Sequence, residues 1–198
     1  YQKRMKEPSI AEVTQEHIDR IKAFKTFKPD ETIEIGDMRL TPIRIDHSAF
    51  DSYMFLIESD DKRVLHTGDF RMHGPLGRLI PKILEDVGIV DILICEHTTL
   101  SRLDETLMSE FELQKDAIDL IKNNKYVFIM CASTNIDRIA SFYHANRKAG
   151  TKLFICDDYQ KEILDYVTKT TLKHTDYYNF SDVKSFDGMF YQDMINQG

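Results

Sequence analysis

The run Tyr126-Val127-Phe128-Ile129-Met130-Cys131-Ala132-Ser133-Thr134-Asn135-Ile136-Asp137-Arg138 decides the fold class. An apolar stretch of strand length passes through a small polar turn into a helical pattern. The same alternation continues on either side: helix over 105–123, strand Tyr126 to Cys131, helix over 135–149, strand Leu153 to Cys156, helix over 158–169. Strict alternation of this kind predicts a parallel sheet with helices on its faces. Upstream the pattern is different. Thr14 reads as the N-cap of a helix to Phe27, with Ile18, Ile21 and Phe24 on its apolar face and Pro29 closing it. Two hairpins follow, one turning at Gly36-Asp37 between Thr32–Ile35 and Met38–Ile45, the other turning at Asp60-Asp61 between 52–58 and 63–67. A helix over 77–87 leads to Val90–Cys95, which is apolar on both faces as a buried strand would be. The expected fold class is therefore α/β (α+β), with a strand-and-hairpin part over 1–103, an α/β part over 104–180 and an unassigned tail over 181–198.

Bulk properties set limits. A chain of 198 residues, 42% hydrophobic and 30% charged, can bury a real core. A net charge of −7 argues against nucleic-acid binding by bulk electrostatics, although a local groove or neutralising metal ions remain compatible with it. No apolar run approaches the roughly 20 residues of a membrane helix, and no secretory signal opens the chain. Cys95, Cys131 and Cys156 are odd in number, lack metal-type spacing and lie in apolar runs. They read as reduced core residues of a cytoplasmic protein. A start at Tyr1 and a polar end at Gly198 read as an excised piece.

The chemistry sits in Ile45-Asp46-His47-Ser48-Ala49-Phe50-Asp51-Ser52 and in Leu65-His66-Thr67-Gly68-Asp69-Phe70-Arg71. His47 closes one strand, with Ser48 and Asp51 nearby to orient its second nitrogen. Gly68 lets the chain turn sharply and bring the Asp69 carboxylate into a cleft. Glu96 ends a third strand. An imidazole and carboxylates on rigid strand ends are what a hydrolytic metal centre needs. A bridging carboxylate such as Asp69 suits two divalent cations that activate a water on a phosphodiester. The plainer alternatives are a polar loop histidine and an ordinary Thr-Gly-Asp turn. His66, His97, His17, His73, His144 and His174 read as packing, turn or solvated residues, and Asp37 as part of its turn.

Together these segments resemble the third and fourth metal motifs of the metallo-β-lactamase superfamily, and most closely its β-CASP branch of ribonuclease J-like, RNA-metabolising hydrolases. Ile92-Leu93-Ile94-Cys95-Glu96-His97-Thr98-Thr99-Leu100-Ser101-Arg102 is similar to that branch's motif A, and Met130–Arg138 to a segment of its inserted domain. The resemblance covers roughly residues 30–170. It implies the C-terminal part of a metallo-β-lactamase αββα half joined to a Rossmann-like β-CASP domain. It also implies two Zn²⁺ ions, or Mn²⁺, with His47 and Asp69 as metal ligands. Asp69 and Glu96 would be catalytic, Glu96 by orienting a ligand histidine or aiding proton transfer. Ser133, Asn135 and Arg138 would bind substrate phosphate at a helix N-terminus, where Ser133 also suits a simple N-cap. The partner would be RNA, or DNA as the lesser choice; a homo-oligomer is admitted.

The family's His-x-His-x-Asp-His motif is not in this chain, nor are its later histidine motifs. The chain alone offers two of the roughly six to seven donors of a dinuclear site and is expected to be inactive by itself. Two other readings stay open. A relative hydrolysing small thioesters or lactones would lack the α/β block after 104, and a non-catalytic nucleic-acid-binding scaffold would have a decayed site.

Overall fold

The computed structural model describes residues 8–98, 107–150, 152–171 and 174–186, the side chains from residue 14 onward. Its fold is mixed α/β. Strands β1 (Ile33–Ile35), β2 (Met38–Arg44), β3 (Tyr53–Ser59), β4 (Lys62–His66) and β5 (Ile92–Ile94) form one sheet in that order. The first three pairings are antiparallel, and the fourth, β4 with β5, is parallel. Both hairpins turn where the sequence places them. Gly36 and Asp60 take the positive φ angles of 65° and 42° that such tight connections need. Because β2, β4 and β5 run the same way, their C-terminal ends share one rim of the sheet.

Period-two alternation gives β3 two faces. Met54 and Leu56 point into a core with Ile45, Leu65, Ile80 and Val87, closed by α2 (Ile80–Val87) after a 3-10 turn at Gly77–Leu79. Tyr53 and Phe55 meet the edge of Phe27, with ring centroids 5.0 and 5.8 Å away.

The second half stacks α3 (Glu110–Asn123), α4 (Ile136–Ala149) and α5 (Asp158–Thr171), with β6 (Ile155–Cys156) and β7 (Lys184–Ser185) paired in parallel. Small residues let α3 and α4 approach: Ala117, Ile121 and Ala145 form their contact. A larger core gathers Ile136, Ile139, Tyr143, Leu164, Val167 and Phe180 from α4, α5 and the segment after them. Phe50 from the first half packs against it.

Several expectations are corrected. Tyr126 to Cys131 forms no strand; Phe128 and Met130 are 96% and 101% exposed. An apolar run becomes a strand only when another backbone pairs with it, and the described residues supply none. Strand β5 is shorter than Val90–Cys95 and exposed rather than buried, because it is the sheet edge. Helix α1 (Pro8–Lys22) starts earlier than predicted, so Thr14 is a buried interior residue instead of a cap, and Ile21 and Phe24 are exposed. Helix α3 begins at Glu110 behind a capping box in which Ser109 and Glu112 satisfy each other's backbone N–H groups. Cys95 and Cys131 are exposed and so are not core residues, whereas Cys156 is half-buried and packs against the larger core. His73 and His144 are half-buried instead of solvated; His144 Nε2 bonds the Tyr177 carbonyl at 2.7 Å. Strand β7 falls in the stretch left unassigned. Residues 105 and 106, Thr99 to Arg102 and the tail from 187 onward lie outside the described residues.

Candidate functional site

The three residues singled out at strand ends lie on the one rim. Past β2, the backbone of Ile45 still pairs with Ser52, and Asp46 and His47 follow directly. Past β4, Gly68 (φ 59°) turns the chain so that Asp69 stands on the surface. Among the described residues nothing hydrogen-bonds to its carboxylate. Past β5, Glu96 reaches back to this loop: one carboxylate oxygen accepts the Phe70 N–H at 2.8 Å and the other accepts the Thr98 hydroxyl. Those bonds, the Thr98 hydroxyl first, hold its carboxyl below the usual range, with a smaller contribution from the nearby His47 imidazole. Glu96 therefore fixes the peptide next to Asp69.

His47 is half-buried. Its Nδ1 accepts the Ala49 N–H at 3.2 Å and faces the Ser52 hydroxyl at 3.4 Å, which itself donates to the Ala49 carbonyl. Ser48 and Asp51, expected to orient the ring, do not: Asp51 binds Arg44 at 3.1 Å and the Tyr53 hydroxyl at 2.6 Å. With Nδ1 accepting, the ring proton sits on Nε2; a cation at Nε2 would shift it to Nδ1, giving up the Ala49 N–H bond for one donated to the Ser52 hydroxyl.

The donor types suit zinc or manganese, an imidazole and a surface carboxylate on rigid strand ends. Among the described residues, no three His, Cys, Asp or Glu side chains converge as a group able to hold a metal ion. His47 and Asp69 are thus donors of a suitable type, without a third beside them among the described residues.

The second half meets this rim directly. Ala49 and Asn135 form an isolated antiparallel bridge, bringing the start of α4 beside the His47 loop. Asn135, not Ser133, is the N-cap: its side chain accepts the Arg138 N–H at 3.1 Å. Ser133 lies exposed in the preceding turn. Arg138 spends its Nε on both oxygens of Glu110, at 3.0 and 3.1 Å, while its Nη groups bond no described residue.

Beneath the rim lies a buried ionic network that sequence reasoning missed. Asp46, 1% exposed, accepts the Gly74 N–H at 2.8 Å and lies 3.7 Å from Arg71 Nε. The Arg71 guanidinium binds Glu110 at 3.2 Å and Asp137 at 2.6 Å. Ser141 and Arg138 complete Glu110, and the Tyr178 hydroxyl donates to Asp137 at 2.7 Å. Burial outweighs Arg71 and Tyr178 and pushes the Asp137 carboxyl up to about 6. The only signal in the sequence was local, a charged Asp46 inside an apolar run and Glu110 opening a helix. Partners up to 66 positions apart give no pattern. Above the network, a cleft of about 270 Å³ opens between the halves, bounded by His47, Phe50, Ser52, Tyr177 and Tyr178.

No family model and no curated protein matches this chain. A crystal structure from Enterococcus faecalis V583, described as a protein of unknown function, is similar over 73% of this chain, with a TM-score of 0.63 and 20% identity. The match covers 35% of that protein, so this chain spans about a third of its length. At such identity the likeness speaks to the fold alone. Among the described residues, no helix is long and apolar enough to cross a membrane.

Proposed function

We propose that the rim carrying His47, Asp69 and Glu96 belongs to the metal centre of a β-CASP-type metallo-β-lactamase hydrolase that cleaves phosphodiester bonds, in RNA before DNA. One observation carries this reading: three strand ends that run the same way present an imidazole whose Nε2 bonds no described residue, a carboxylate with no bonding partner among the described residues, and a glutamate gripping the loop that carries that carboxylate. Two Zn²⁺ or Mn²⁺ ions, when bound, would supply an activated water and steady the leaving oxygen. This chain would contribute His47 and Asp69 as ligands. Glu96 then acts as a positioning residue for Asp69. Asn135 and Ser133 meet a substrate phosphate at the N-terminus of α4, and the Arg138 Nη groups add charged donors. The setting would be the cytoplasm. The test is cleavage of labelled single-stranded RNA by the protein carrying this chain, with Zn²⁺ or Mn²⁺. Metal-dependent turnover should fall by about 100-fold or more in Asp69→Ala; turnover that ignores Asp69 would refute the reading.

A further inference from the structure

Backbone and side chain of one residue tie the loops of the rim together. The Arg71 N–H donates to the Asp46 carbonyl at 2.8 Å, which joins the chain two positions after Asp69 to the residue just before His47. The Arg71 guanidinium meets the same residue through its carboxylate, with Nε 3.7 Å away. Asp46 is itself fixed: its carboxylate accepts the Gly74 N–H at 2.8 Å and the Leu76 N–H at 3.4 Å. The other nitrogens of the guanidinium cross to the second half. Nη1 bonds Glu110, the first residue of α3, at 3.2 Å, and Nη2 bonds Asp137, two positions beyond the Asn135 cap of α4, at 2.6 Å. The Glu110 N–H in turn donates to the His73 carbonyl at 2.9 Å. A planar fork of N–H groups holds three carboxylates at set angles, which a lysine ammonium on a flexible stem cannot do. The packing is also tight. A methyl group on Gly74 would overlap the Asp46 carboxylate and stand 2.6 Å from Arg71 Nη2.

We propose that Arg71 is a positioning residue for the metal rim: its guanidinium sets the spacing of His47 and Asp69 and seats the first turn of α4 against them. The proposal rests on the metal-centre reading and adds to it a residue that touches neither metal nor substrate. Buried ions gain little stability over apolar packing of the same volume, so stability alone does not account for a central cation among three anions. What such a cluster supplies is register. Three of its members neighbour the site along the chain: Asp46 beside His47, Arg71 after Asp69, and Asp137 after Asn135.

Zinc affinity, measured by competition with a chromophoric chelator in the protein carrying this chain, tests the role. Arg71→Lys keeps the charge and loses the fork, whereas Gly74→Ala keeps every charge and displaces Asp46 from Arg71. Both should weaken zinc binding about tenfold, as replacing groups that orient metal ligands does. Ile121→Ala, about three turns along α3 from Glu110, opens a cavity in a separate core and should lower the denaturant midpoint without changing zinc affinity. Cobalt in place of zinc gives a second readout, because its visible absorption follows ligand geometry. The band should shift in Arg71→Lys and Gly74→Ala and stay in place in Ile121→Ala. If Arg71→Lys does not fold, Gly74→Ala carries the test. Zinc affinity unchanged by Arg71→Lys and Gly74→Ala, or lowered equally by Ile121→Ala, would overturn the role of Arg71 and leave the metal centre standing. Binding that ignores Asp69→Ala, or no zinc binding at all, would refute the metal centre and the role of Arg71 with it.

Discussion

Arg71 has 9% of its side chain exposed and faces carboxylates from three segments distant in sequence, Asp46, Glu110 and Asp137. A buried ion cluster contributes little over a well-packed apolar one, but removing its central cation strands the anions. Arg71→Met should therefore cost about 3–5 kcal/mol, read as a lowered urea midpoint, because Asp46 and Asp137 lose the one cation that pairs with them among the described residues while Glu110 keeps Arg138. A loss under about 1 kcal/mol would mean that water already serves those groups. At this scale the sequence was legible where one residue type does one job. Gly68 turned as a glycine must, and His47, Asp69 and Glu96 fell on strand ends as spacing implied. It was illegible where a residue works through partners. Arg138 reads as a phosphate donor in its motif, yet its Nε belongs to Glu110.

At the scale of elements, α4 joins the halves, and its first turn holds Asp137. That carboxyl stays protonated up to about 6 through burial, against 3.8 in the open chain. Between about pH 4 and 6 the folded chain therefore binds more protons than the unfolded one, so the stability this group contributes is full below about pH 4 and is lost as pH rises through 6. The contribution is of order 3 kcal/mol at most. Glu96, held low, acts in the opposite direction as pH falls, so the comparison must be with a variant. Relative to the unsubstituted chain, Asp137→Asn should flatten the decline in denaturant midpoint between pH 4 and 7; parallel profiles would show that Asp137 is charged throughout. Helix spans followed from period for α4 and α5, although the cap of α4 fell on Asn135 and not Ser133. The strand expected over Tyr126–Cys131 did not form, because a strand is a property of two backbones and the sequence displays one.

For the whole molecule, the hairpins and the helical block could be read from turns and periodicity, since both are local. The bridge from Ala49 to Asn135 and the network beneath it could not, since nothing local marks residues that meet after a long excursion of the chain. That meeting turns two sets of motifs into one cleft. The central claim is that His47 and Asp69 face a shared metal position on the sheet rim. Anomalous scattering at the zinc edge from crystals of the protein carrying this chain, soaked in Zn²⁺, tests it most directly. The account predicts a peak about 2.1 Å from His47 Nε2 and within bonding distance of the Asp69 carboxylate, absent in Asp69→Ala. Zinc found only elsewhere, or a peak at His47 that persists without Asp69, would contradict it.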